Sequence, residues 1–313
     1  MIWLLALLQI LFFIFGAPLL LGFVKIIKCY LQNRQAPSIF QPYCDLNKLF
    51  RKESVVADTV SIIFYITPYI VFGVTLVISA VVPLIVIHTP TTVIADVIVL
   101  VGLFAIARFF LALAGMDVGT AFGGMGSSRE MMIAAIAEPA LLMAFFAVAM
   151  SASSTNLATI IVHLSQHQIW MRPSLIFAAS GFVLVALAET GRIPVDNPAT
   201  HLELTMVHEA MILEYSGRHL ALIEWSAQIK FMLYCVLLIN LFFPFGIAQV
   251  LTWSALGFSI IAMIIKLIIV SVALGVAEIN LAKLRLFRAP YLLNIAFLFS
   301  LLGVLSHIIL EVK

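Results

Sequence analysis

Eight stretches of this chain are apolar for about the length of a bilayer crossing, and the first, residues 2–24, carries no charge at all. A helix needs roughly 20 apolar residues to cross hydrocarbon. There every backbone N–H and C=O must be bonded within the protein, which leaves only helices and closed barrels. The runs lack the alternation of a barrel strand, so the chain is predicted to be all-α and polytopic. Composition agrees: 10% of residues are charged and 64% hydrophobic, against roughly 25% charged in a soluble domain. The expected spans are residues 2–26, 60–87, 93–114, 131–153, 173–190, 228–249, 255–280 and 290–310, in one integral membrane domain over residues 1–313. No positive charge precedes the first stretch and no small-residue cleavage site follows it, which reads as a retained helix rather than a signal peptide.

Lysine and arginine set the orientation, because they cross the membrane poorly. Placing the loops after the odd-numbered spans on one side gathers Lys25, Lys28, Arg34, Lys48, Arg51, Lys52, Arg129, Arg192, Arg218, Lys230, Lys283, Arg285 and Arg288, thirteen of the 17. Arg172 and Lys313 fall opposite, and Arg108 and Lys266 lie inside spans. Residues 27–58, 115–130 and 191–227 are therefore the expected cytoplasmic loops, with both termini external. Within the external loop 154–172, His163 and His167 read as solvated surface rather than a metal pair. Pro68, Pro83 and Pro244 are expected to kink their spans and free carbonyls for other partners. A net charge of +2, with its bases scattered, excludes nucleic acid as a natural partner. No internal repeat is visible, which counts against a free-standing transporter.

Ionisable groups inside spans cost about 2.5–3.5 kcal/mol each, so each asks for a partner or for water. The candidates are Arg108, Glu138, Glu189, Lys266 and Glu278. Glu138 stands beside Pro139, and it reads either as an ion pair with Arg108 or Lys266, or as a proton-relay carboxylate. The loop AETGRIPVDNPATHLELTMVHEAMILEYSG brings Glu189, Asp196, Glu203, Glu209 and Glu214 against the single Arg192. Leu204, Val207 and Met211 recur at helical spacing, predicting an interfacial amphipathic helix with His201, Glu203, His208 and Glu209 on its polar face. HEAMI, residues 208–212, lacks the second histidine of a zinc motif, and no metal site is expected. GGMGSSR, residues 123–129, lacks a phosphate-loop ending and reads as a tight loop feeding the fourth span. Cys29, Cys44 and Cys235 show no cluster-binding spacing. QPYCDLNKLFRKE, residues 41–53, reads as a docking or lipid-facing segment.

These motifs together resemble the respiratory complex I subunit 1 family over almost the whole chain. Gln41, Pro42, Asp45, Lys48, Leu49 and Glu53 fit its first-loop segment, and Arg129 with Glu138 fits its fourth-helix signature. Glu189, Thr190, Arg192, Pro194, Asp196 and Pro198, then Glu203 and the Glu214-Tyr215-Ser216-Gly217 ending, fit its next loop. Ala199, Thr200 and His201, where complex I chains carry more glutamates, and AEINLAKLRLFRAP, residues 277–290, look instead like the hydrogenase-4 and formate hydrogenlyase branch. The resemblance implies a membrane anchor and coupling subunit that catalyses nothing alone and holds no cofactor. [NiFe] and iron–sulfur centres would sit in a soluble large subunit and an iron–sulfur small subunit, with antiporter-like subunits beside it in an inner membrane. Glu138, Glu189, Asp196, Glu203 and Glu214 would form the coupling path for protons or sodium. Arg129, Arg192, Arg108, Lys266 and Glu278 would order the cavity and loops, and Gln41, Asp45 and Lys48 would dock the soluble arm. Two alternatives stay open: a complex I subunit with quinone beside the first and sixth spans, and a passive scaffold.

Overall fold

The structure, a computed structural model, describes residues 2–57, 59–87, 90–166, 172–193, 195–196, 206–248, 252–282, 284 and 288–311. Among the described residues, seven helices are long and apolar enough to cross a membrane: α1 (Ile2–Leu31), α3 (Ile62–Val81), α4 (Val97–Asp117), α5 (Ala121–Ala152), α9 (Gly217–Phe242), α10 (Trp253–Asn280) and α11 (Ala289–Ser306). The eighth expected crossing is α7 (Pro173–Glu189), which at 17 residues is shorter than those seven. The other α-helices among the described residues are shorter: α2 (Gln41–Arg51), α6 (Leu157–Gln166) and α8 (His208–Ile212). The chain is an all-α polytopic membrane protein.

α11 packs against α7 and α5, and α5 against α4; α3 joins α4 to α9, while α1 holds α9 and α10 together. α2 lies across α1 and α9 with Pro42 and Leu46 buried. α8 is tucked against α5 and α4, so α2 and α8 mark one end of the bundle. Where the chain passes between helices, polar side chains start them: Ser61 accepts from the Ile63 amide at 3.2 Å, and Thr120 from the Gly123 amide at 3.3 Å.

Several boundaries depart from expectation. The Thr120 cap starts α5 ten residues before residue 131, so loop 115–130 shrinks to a short turn and GGMGSSR is helical. Gly123 and Gly126 permit close approach rather than a loop. A Cβ on Gly126 would sit 2.9 Å from the Ala210 Cβ and 3.0 Å from the Val207 oxygen, and one on Gly123 would overlap the Gly115 carbonyl. α9 starts at Gly217 rather than near 228, which ends the third loop early. The first loop begins only after Leu31 and contains α2. The amphipathic segment after α7 is described only as α8, with Val207 and Met211 buried and His208 and Glu209 half-buried; His201, Glu203 and the rest of 197–205 lie outside the described residues. His163 is half-buried on α6, and His167 lies outside them too.

Only Pro68 of the three prolines singled out interrupts a helix; Pro83 and Pro244 follow the ends of α3 and α9. The carbonyl four residues before Pro68, that of Phe64, accepts from the Tyr215 hydroxyl at 3.0 Å. Before Pro18, inside α1, the Ile14 carbonyl accepts from the Trp225 indole at 3.0 Å. Before Pro83 the Ser79 carbonyl accepts from the Gln9 amide at 3.1 Å. Beyond the ends of α3 and α9 the backbone is irregular, and the two strips bond each other through the Ala248 amide and the Ile85 carbonyl at 3.1 Å. Irregular backbone at membrane depth persists only where such partners shelter it. Asn240 closes on the Pro83 carbonyl at 2.5 Å, and Lys266 donates to the carbonyls of Phe243, at 2.8 Å, and Phe245.

Candidate functional site

The site grows from Arg108, which α4 carries about two turns from its α2-end terminus. An arginine cannot shed its charge, so a buried one requires carboxylates. Its side chain is 4% exposed and meets three of them. Nη1 donates to Glu138 of α5 at 3.0 Å, Nη2 donates to Glu189 at the end of α7, and Nε lies 3.7 Å from Glu130. Glu189 Oε2 is shared with Lys230 of α9 at 3.1 Å. Arg108 and Lys230 against Glu130, Glu138 and Glu189 make two cations and three carboxylates, an unbalanced set when all are ionised. A carboxylate shared by two cations changes its proton affinity when either cation moves.

Beneath this cluster, toward the α6 end, the bundle closes. Phe104 lies one turn from Arg108 and stacks on Tyr234 with centroids 5.0 Å apart, and Tyr234 meets Phe182 at 6.1 Å. Polar groups therefore open toward the α2/α8 end. There a cavity of about 100 Å³ is lined by Arg108, Glu130, Glu189, Lys230, Ser226, Asp196 and His208, room for a few waters.

A second cluster stands beyond it. Glu278 of α10, its side chain 1% exposed, accepts from Arg192 at 2.5 Å and pairs with Lys28 of α1. The Arg192 guanidinium also lies 3.6 Å over the Phe231 ring. These groups border a wider cavity of about 270 Å³ between α1, α9 and α10, which also receives Lys25, Glu209, Glu224 and Gln228. Burial, with the Glu224 and Asp196 carboxylates adding to it, raises the Glu209 pKa above the usual carboxylate value, and His208 opposes the shift.

Of the residues singled out in the sequence, Arg108, Glu138 and Glu189 come together, and Arg192 joins Glu278 in the neighbouring cluster. Asp196 accepts from the Val207 and His208 amides, both at 3.3 Å, and so seats the start of α8. Arg129 donates to the Met206 carbonyl at 2.9 Å on the same segment. Lys266 joins neither cluster and bonds backbone carbonyls instead, so of the two partners left open for Glu138 it is Arg108 that pairs with it. Glu214 sits half-buried in the turn between α8 and α9, outside the linings of both cavities. Gln41, Asp45 and Lys48 share the exposed face of α2, where the Gln41 amide donates to Asp45 at 2.9 Å.

Sequence reasoning missed Glu130, Lys230, Lys28 and Glu224. Lys230 falls at a loop boundary when its span is drawn from residue 228, and its only signal is the i, i+4 spacing to Tyr234. Lys28 and Glu278 lie at opposite ends of the chain, and no local pattern links them.

A family model described as NADH dehydrogenase matches residues 4–308. Formate hydrogenlyase subunit 4 of Escherichia coli (strain K12) is 31% identical over 290 residues, covering 93% of this chain and 94% of that one. Hydrogenase-4 component C of the same organism is 33% identical over 283 residues, 90% of this chain and 88% of that one. An NADH-quinone oxidoreductase subunit of Salinibacter ruber (strain DSM 13855 / M31) is 26% identical over 242 residues, covering 73% and 68%. In structure, a chain of the membrane-bound sulfane sulfur reductase, an archaeal respiratory membrane complex, superposes with a TM-score of 0.79 at 19% identity, covering 97% of this chain and 98% of that one. That last likeness is one of fold.

Proposed function

Because the chain belongs to the NADH dehydrogenase family, in its complex I subunit 1-like form, we propose that it is the membrane anchor and coupling subunit of a hydrogenase-4 or formate hydrogenlyase type complex. It links electron transfer in a soluble [NiFe] large subunit and iron–sulfur small subunit to proton or sodium movement through antiporter-like neighbours. The chain itself carries no redox centre in this reading. The α2/α8 end faces the cytoplasm of a bacterial or archaeal cell and both termini face outward. Gln41, Asp45 and Lys48 on the open face of α2 meet the soluble arm.

The observation that carries this reading is the shape of the Arg108 cluster. Glu189, 2% exposed, opens through a cavity toward the α2/α8 end, whereas Glu138, 35% exposed, presents its carboxylate on the flank of α5. A carboxylate on a membrane-facing flank needs a polar partner there, and a neighbouring membrane subunit supplies one. Glu203, Asp196 and Glu214 extend the acidic approach from the loop.

The test is the intact complex in sealed proteoliposomes, with ion uptake counted per hydrogen turned over. Glu189→Gln or Glu138→Gln is expected to cut that ratio at least about tenfold. Wild-type ratios in both variants overturn the coupling role and leave a scaffold. The cavity of about 270 Å³ favours a second reading, in which it takes a quinone head. Its charged lining is unlike the mostly apolar walls of small-molecule sites, and Trp225 seals α1 to α9 through the Ile14 carbonyl. Quinone retained in the purified complex would favour that reading.

A further inference from the structure

The two cavities share part of their walls, a seam between them. Among the described residues, Thr190, Gly191, Asp196, His208 and Ala227 line both. A proton passing from one cavity to the other crosses this seam, and three of its side chains carry polar atoms. The Thr190 hydroxyl donates to the Ala186 carbonyl at 2.7 Å, and Asp196 accepts two backbone amides at 3.3 Å. The Thr190 hydroxyl and one oxygen of Asp196 thus hold backbone. The third is the His208 imidazole, half-buried and bordered by both spaces.

Its place is fixed from below. α8 rests on α5 at Gly126, where a Cβ would lie 3.0 Å from the Val207 oxygen, so the backbone that carries His208 is packed closely against α5. Charged groups line the two spaces it borders: Arg108 of α4, Glu130 of α5, Glu189, Arg192 and Asp196 at and after α7, Glu209 of α8, Glu224 and Lys230 of α9, and Lys25 of α1; Arg129 of α5 bonds the nearby Met206 carbonyl. Lys28 of α1 and Glu278 of α10 close the outer edge. Carboxylates thus stand on both sides of a ring with two nitrogens, one able to accept a proton while the other donates one.

We propose that His208 is the proton-relay residue of this chain, joining the Glu209 and Glu224 carboxylates of the wider cavity to the Arg108–Glu189–Lys230 cluster of the narrower one. This rests on the coupling reading and adds that the ion entering here is a proton. One ring nitrogen takes the proton that a Glu209 or Glu224 carboxyl gives up, forming imidazolium and leaving a carboxylate. The other nitrogen then releases its proton through the water of the inner cavity to Glu189, and the ring returns to neutral in the opposite tautomer.

The test again uses the intact complex in proteoliposomes, with protons moved per hydrogen turned over followed against pH. His208→Gln is expected to lower the ratio at least about tenfold at pH 7. His208→Glu is expected to retain translocation with its optimum displaced to lower pH, and added imidazole to restore part of the ratio in His208→Ala. A wild-type ratio in His208→Gln, with the ratio lost in Glu189→Gln, overturns the relay and leaves the coupling reading standing. Wild-type ratios in both overturn the two together. A ratio lost in His208→Ala that neither imidazole nor the glutamate variant restores reduces His208 to a structural role and overturns the relay.

Discussion

The two ends of this bundle bury polar groups in opposite ways. At the α2/α8 end charge meets charge: Arg108 and Lys230 converge on Glu189, and Arg192 and Lys28 on Glu278. At the α6 end polar side chains meet backbone: Gln9, Asn240 and Lys266 donate to carbonyls left open where α3 and α9 end. A carbonyl neither gains nor loses a proton, so in the second kind of pairing the acceptor takes no part in proton exchange and the bond serves the fold. Carboxylates shared among cations can change protonation, so the first kind can also work. An ionisable residue in a membrane span is thus informative about function only once its partner is known.

The sharpest way to break this comparison is Arg108→Met. Removing the shared cation strands Glu138 and Glu130 and leaves Glu189 with Lys230 alone, and losing one member of a buried charge set costs about 3–5 kcal/mol. Native electrophoresis of solubilised membranes should show little assembled complex, and adding Glu189→Gln should recover part of it. At the α6 end, Lys266→Met and Gln9→Leu each leave carbonyls unbonded, at about 1–3 kcal/mol. Both should lower the thermal midpoint of the purified complex while leaving the ratio of ions to hydrogen at its wild-type value. A fallen ratio in either would erase the distinction between the ends. Tyr215→Phe removes one hydrogen bond to the Phe64 carbonyl but keeps the ring stack, whose centroids are 3.9 Å apart, so a loss near 1 kcal/mol is expected.

The smallest effect concerns Glu209. Burial raises its pKa in the folded state, so its favourable contribution is complete below the unfolded carboxylate value of roughly 4.3 and is lost as pH rises through the folded value. Glu209→Gln, which never ionises, should therefore show a smaller fall in thermal midpoint between pH 4 and pH 8 than the wild-type chain. An identical fall in both would mean that this carboxylate is hydrated as freely as one on the surface.

The sequence made part of the site legible because lipid makes isolated charges costly. Arg108, Glu138 and Glu189 stand out in apolar runs, and their meeting follows from that cost. Lys266 stands out equally, yet its partners are backbone carbonyls on either side of Pro244, and the sequence marks that interruption without showing which side chain answers it. GGMGSSR reads as a loop because glycine is poor in helices; α8 lying against it is what makes the missing side chains useful. Lys230 stays hidden for the converse reason: His219, Gln228 and Arg218 make the first half of α9 look too polar to be part of a span, although His219 and Gln228 are buried against other helices.

By itself the sequence determined the solvent, the helical class, the approximate number of crossings and the short set of ionisable residues that lipid cannot leave alone. All of these depend on composition and local periodicity, which a chain carries wherever its parts end up. Only the tertiary structure decided that Glu278 takes Lys28 rather than Arg108, that Lys266 holds a helix end, and that His208 borders two cavities. Those outcomes depend on which helix faces lie against one another, and residues far apart in sequence set them together.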